Sequence, residues 1–211
     1  MVTIKVYSDY VCPYCFLLEK PLSEAAEGKD VKIEWMPFEL RPEPTDTLRP
    51  EDDYLQTTWK QSVYPLAEQL GVEIRLPDVS PQPYTHFAFE GFQYAKEQGK
   101  GNDYTDRLFR AFFQESLDIG DVDILTTLAG EIGLDKAAYR EALEKRTYKA
   151  AHQEALKATA AITSVPTVQI GDQTLVGLQT KEKFVEAIEK ASKPTLLFGD
   201  GAVCGPDGCF I

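Results

Sequence analysis

Histidine and cysteine are scarce, two and four in 211 residues. Zinc ordinarily takes four nitrogen or sulfur ligands, commonly from two close cysteine pairs. The pairs here, Cys12/Cys15 and Cys204/Cys209, stand at opposite ends of the chain. His86 and His152 fall in helical patterning with no ligand spacing to a cysteine, so each reads as a surface or packing residue and no metal is expected. Basic residues are also in deficit: 22 Lys and Arg against 34 Asp and Glu give a net charge of −12. That balance argues against nucleic acid and membrane partners, which need clustered cations. No run approaches the ~18 apolar residues that crossing a bilayer requires. The first residues carry no basic segment, apolar stretch and small-residue cleavage site in succession, so the expected location is cytoplasmic.

What is present points to an ordinary globular chain, 43% hydrophobic and long enough for one domain with an insertion or two small ones. Its most informative segment is Cys12-Pro13-Tyr14-Cys15, directly after the alternating run Val2–Tyr7. A C-x-x-C where a strand gives way to a helix is how a redox dithiol is presented. With Pro13 at the first helical position, Cys12 falls at or just before the N-cap, facing free amide donors and the positive end of the helix dipole. That setting favours the thiolate, the attacking form in disulfide exchange. Cys15, about one turn deeper, is placed to resolve a mixed disulfide. In a reducing compartment, two close cysteine pairs suggest working thiols more than permanent bridges.

Residues 2–7 read as a strand, 12–27 as a helix ending near Gly28, and 31–38 as a second strand, a βαβ unit with parallel strands. The Pro-rich, charged segment 41–50 leaves the sheet, and from about Glu51 to Thr163 every stretch reads helical. Strand character returns at 167–170 and 174–176, joined by Gly171-Asp172 as a hairpin turn, before a helix at 181–190. The expected architecture is α/β: a thioredoxin fold with an all-helical insertion between the second strand and the strand that follows Pro166. Its parts are residues 1–40 and 164–195 for the thioredoxin-like domain, 41–163 for the insertion and 196–211 for a tail. A proline entering a strand is disfavoured unless the site is special. In this arrangement Val165–Pro166 is expected to be cis beside the dithiol, with the Val165 backbone turned toward an extended substrate.

Asp9-Tyr10-Val11-Cys12-Pro13-Tyr14-Cys15, the helical insertion and Val165-Pro166-Thr167 together resemble the DsbA family of the thioredoxin superfamily. The segments 37–40, 108–115, 118–121, 128–129 and 133–135 resemble its cytoplasmic FrnE-like branch, so the likeness covers nearly the whole chain. The resemblance implies a protein disulfide oxidoreductase or isomerase, with Cys12 as nucleophile, Cys15 as resolving thiol, Pro166 as the cis proline, and Pro13, Tyr14 and Val165 against the substrate. Partners would be protein or peptide thiols and disulfides, as monomer or homodimer; no cofactor is implied, with glutathione an optional co-substrate. Two departures stand out. Pro13-Tyr14 is the dipeptide typical of glutaredoxins, placing the expected potential nearer about −200 to −230 mV than DsbA's −120 mV. The buried acid that many relatives carry six residues before the first cysteine is Val6 here, leaving Asp9 as the nearest carboxylate. Asp9 is either a proton relay to Cys15 or a cap of the turn before the helix.

In the tail, Gly205-Pro206-Asp207-Gly208 is strong turn chemistry that can bring Cys204 and Cys209 within bridging distance. So small a loop gains little by loop entropy, so the pair is expected to be a second redox couple exchanging with Cys12/Cys15, or else a tail disulfide without catalysis. Two rival classes remain. Kappa-class glutathione transferases and 2-hydroxychromene-2-carboxylate isomerases share the inserted-helix architecture but carry Ser where Cys12 stands. A holdase chaperone would instead use an apolar groove, which no sequence feature locates.

Overall fold

A computed structural model describes residues 1–193 and, as backbone only, two short strands at 203–205 and 208–210. The rest of the 196–211 tail, with the side chains of Cys204 and Cys209, lies outside the described residues. The central sheet has the order β2-β1-β3-β4. Strand β1 (Val2–Ser8) runs parallel to β2 (Val31–Pro37) and antiparallel to β3 (Thr167–Ile170), which pairs antiparallel with β4 (Gln173–Val176). Gly171 takes φ 59° in the two-residue link between β3 and β4, a left-handed conformation that a side chain would disfavour. The tail strands β5 (Val203–Gly205) and β6 (Gly208–Phe210) form a separate antiparallel pair.

Period-two burial in β1 sends Ile4 and Val6 inward and leaves Thr3 and Lys5 exposed. Ile4 and Val6 join Val168 and Ile170 of β3 under helices α1 (Pro13–Ala26) and α9 (Lys181–Ser192), which supply Leu18, Leu22, Phe184 and Ile188. A second, larger core gathers around the helices between β2 and β3. These are α2 (Asp53–Thr58), α3 (Tyr64–Leu70), α4 (His86–Glu97), α5 (Gly101–Phe113), α6 (Val122–Glu131), α7 (Lys136–Glu144) and α8 (Lys149–Ala158). Phe109 and Phe113 of α5 pack on Phe16 of α1, with ring centroids 5.9 and 5.5 Å away. All three rings belong to the larger core, and α1 links the two cores by giving Phe16 and Leu17 to this one and Leu18 and Leu22 to the other.

Two stretches differ from the sequence expectation. Residues 71–85 are an irregular loop, not helix. Pro77, Pro81 and Pro83 lack amide donors and turn the residues before them away from helical geometry, and the Ser80–Pro81 bond is cis. The loop is tied down by Arg75 N–H to Phe113 O, 2.9 Å, and Gln82 N–H to Leu48 O, 2.8 Å. Between α2 and α3 the helix widens into a π-helical turn at Trp59–Val63, where an α-helix was expected throughout.

Gly91 of α4 faces the hydroxyls of Tyr104 and Tyr139, which share a 2.6 Å hydrogen bond, with Tyr104 also donating to Ala88 O at 3.0 Å. A methyl at Gly91 would overlap both hydroxyls. Gly91→Ala should therefore cost about 2–3 kcal/mol, read as a lowered urea midpoint with an unchanged slope.

Candidate active site

Helix α1 opens with Cys12 as its N-cap (φ −92°, ψ 112°) and Pro13 just inside. A tight turn precedes it, closed by Cys12 N–H to Asp9 O at 3.0 Å. The Cys12 side chain makes no capping hydrogen bond. It sits over the open, positive end of α1. Cys12 is 4% exposed and Cys15 is fully buried; both are free thiols. Burial and the adjacent Cys12 push the Cys15 thiol well above its ordinary range, against the pull of the Asp9 backbone and the Ser8 hydroxyl.

The register Tyr7↔Thr167 between β1 and β3 carries the segment before β3 alongside the start of α1. The Val165–Pro166 bond is cis, and the Val165 carbonyl lies 3.9 Å from the Cys12 sulfur. Gly177 N–H donates to Pro166 O at 2.8 Å and Thr167 Oγ1 to Ser164 O at 2.7 Å, fixing the segment. Among the described residues, the Val165 N–H has no main-chain partner. Five of the expected site residues, Asp9, Cys12, Pro13, Tyr14 and Val165, line one cavity of about 220 Å³. Pro166 is buried beside it, and Cys15 stands behind Cys12 outside its lining.

Of the two roles the sequence left open for Asp9, the turn before α1 is served by its main-chain carbonyl; the residue also lines the cavity, and its side chain is 1% exposed. Burial pushes it up to about 7, opposed by the Leu40 N–H on Oδ2 at 2.7 Å and by the nearby Thr85 hydroxyl, and reinforced by the charge of Glu39. The segment 37–40 wraps around this acid. Phe38 N–H donates to Ser8 O at 3.0 Å, Leu40 N–H holds Asp9, and Glu39 Oε1 lies 2.6 Å from His152 Nε2. His152 is buried and stacks on Phe89 at 5.4 Å, so it is a packing residue with a carboxylate partner that the sequence did not disclose. His152→Ala would leave Glu39 buried without that partner and should cost about 3 kcal/mol in urea unfolding.

Several cavity residues escaped sequence reading. Gln82 and Thr85 arrive from the irregular loop, and Trp59 from the π-helical turn. None carries a spacing or motif, whereas Leu40 lies in segment 37–40, which the sequence already singled out. Tyr14, held by its hydroxyl to Ser62 Oγ at 2.8 Å, covers one side. Among the described residues no cluster of three or more His, Cys, Asp or Glu is arranged to hold a metal ion. No described helix is long and apolar enough to cross a membrane.

Residues 3–189 match the model of the DSBA-like thioredoxin domain. The chain belongs to that family. It is 54% identical over 196 residues to the uncharacterized protein YwbO of Bacillus subtilis (strain 168), covering 91% of this chain and 98% of YwbO. Among solved structures it is similar to the probable DsbA oxidoreductase SCO1869 of Streptomyces coelicolor, with TM-score 0.76, 22% identity, and 100% and 99% of the two chains covered. It also shares its fold with a 2-hydroxychromene-2-carboxylate isomerase, at TM-score 0.70 and 17% identity over 90% of this chain and 93% of that one. Family membership supports a redox or isomerase enzyme.

Proposed function

We propose that this protein is a cytoplasmic thiol–disulfide oxidoreductase or isomerase of the FrnE-like kind, acting on protein or peptide disulfides through Cys12 and Cys15. The observation that carries the reading is the pairing of a cavity-lining sulfur at the open end of α1 with a fully buried sulfur one turn behind it. Cys12 attacks one sulfur of the substrate disulfide; that S–S bond breaks, a Cys12–substrate bond forms, and the departing thiolate takes a proton. Cys15 then gives up its proton and attacks the Cys12 sulfur, releasing the second substrate thiol and leaving a Cys12–Cys15 disulfide. Asp9, balanced near neutrality, receives or returns the proton through the cavity. The Val165 backbone, with Pro166 behind it and Pro13 and Tyr14 opposite, pairs with the substrate chain.

Cys204 and Cys209 act in this scheme as a second couple. They stand opposite each other in the β5–β6 ladder, where paired Cα atoms lie about 4.5–5.5 Å apart, within the range of a disulfide. A Cys15→Ser variant tests both ideas, because it stalls after the first attack. Mixed disulfides with protein substrate should accumulate on Cys12, and in substrate-free oxidised samples Cys12 should cross-link to Cys204 or Cys209. Failure to trap any partner on Cys12 would refute the first idea, and failure to find the tail cross-link the second.

A second reading has support in the cavity beside Cys12: a glutathione-dependent transferase or isomerase, with glutathione in that cavity. Retention of glutathione-dependent isomerisation or conjugation in a Cys12→Ser variant would favour it over the first.

A further inference from the structure

Asp9 Oδ1 is enclosed and accepts no hydrogen bond of good geometry, while Oδ2 takes the Leu40 N–H and the Thr85 hydroxyl and Val11 N–H lie close to the carboxyl. An unpaired buried acceptor costs about 1–3 kcal/mol, so a donor group that reaches this oxygen is bound favourably. Asp9 belongs to the wall of the cavity that holds Cys12. Two more buried polar side chains line the same cavity, Gln82 and Thr85, 6% and 3% exposed. Thr85 stands at the N-cap of α4, yet its hydroxyl makes no capping bond. A carboxylate, an amide carbonyl and a hydroxyl offer three acceptors, the number a primary ammonium needs for its three N–H groups. The charged neighbours are Glu39, which adds negative potential at Asp9, and Arg41 on the exposed rim, donating to Asp46 O at 3.1 Å. Trp59 and Leu55 supply apolar wall to the cavity, and such surroundings strengthen a charge-assisted bond formed inside it.

We propose that the cavity beside Cys12 is a subsite for a primary ammonium group, received by Asp9, Thr85 and Gln82, and that small aminothiol disulfides are therefore favoured substrates. The inference rests on the oxidoreductase reading and deepens it. One such disulfide is cleaved to two aminothiols while the reduced Cys12/Cys15 pair becomes a disulfide, so a single turnover needs no further reductant.

The test is single-turnover oxidation of the pre-reduced protein by cystamine, by neutral bis(2-hydroxyethyl) disulfide and by anionic 3,3′-dithiodipropionate. Each rate is divided by that of the same disulfide with dithiothreitol alone. Cystamine should be preferred over the neutral disulfide by about tenfold or more, at low and at high salt, because the contact is buried. Asp9→Asn should erase the preference whatever it does to the absolute rates, and Thr85→Val should reduce it by about threefold. A cystamine ratio near one, a preference that vanishes with salt, or an unchanged ratio in the variants would overturn the proposal. If Asp9→Asn does not fold, Thr85→Val decides alone. Failure of all three disulfides to react would instead refute the oxidoreductase reading.

Discussion

Cys12→Ser protein is expected to lose insulin reduction and scrambled-ribonuclease refolding by about a thousandfold or more, to the level of uncatalysed exchange. The loss is nearly complete because, among the described residues, the other thiol beside the site cannot replace it. Cys15 is fully buried, lies outside the cavity lining, and holds its proton well above the ordinary thiol range through burial and proximity to Cys12. A hydroxyl at position 12 keeps the helix start intact, since serine is itself a good N-cap residue. Folding should therefore survive while exchange does not. Substantial turnover by the well-folded variant would mean that chemistry resides elsewhere.

Asp9→Asn should stabilise the protein, and increasingly so as the pH rises. In the folded chain Asp9 holds its proton up to about pH 7, against 3.8 for an unperturbed side chain. Between those values the folded state binds a proton that the unfolded state has lost, so the contribution of Asp9 to stability is fully present below about 3.8 and lost as the pH rises through 7. The span corresponds to at most about 4 kcal/mol at alkaline pH. Asparagine cannot ionise and still offers a carbonyl to the Leu40 N–H. Urea unfolding at about pH 5 and pH 8 should show the advantage of the variant widening by about 2–3 kcal/mol. A gap of constant size, or a variant less stable at both pH values, would show that Asp9 is ionised in the native state and that its burial plays no part in the site.

The dithiol and its helix were legible because local rules govern them. Alternation in Val2–Tyr7, Pro13 at the helix start and Gly28 at its end are signals carried by neighbours in sequence. The segment before β3 was legible for a similar reason, since a proline at a strand entry narrows the geometries available. The cavity was not. Its polar wall joins Asp9 to Gln82 and Thr85, which come from a loop whose course is set by three prolines and by contacts to Leu48 and Phe113 rather than by periodicity. Glu39 and His152 meet across 113 residues, a pairing that no spacing rule exposes. The π-helical turn that delivers Trp59 interrupts what the hydrophobic pattern presents as one helix. Segment 37–40 lies between these cases: its residues were recognisable, but their work of enclosing Asp9 appears only in three dimensions.

The account depends on Cys12 being the sulfur that reacts first. Limited treatment of the fully reduced protein with iodoacetamide at neutral pH, followed by peptide mapping, measures this directly. Modification of Cys12 should run about a hundredfold ahead of Cys15, which stays unmodified until the protein is unfolded. Modification of Cys15 at an equal or greater rate, or a Cys12 that alkylates no faster than a thiol in the denatured chain, would contradict it.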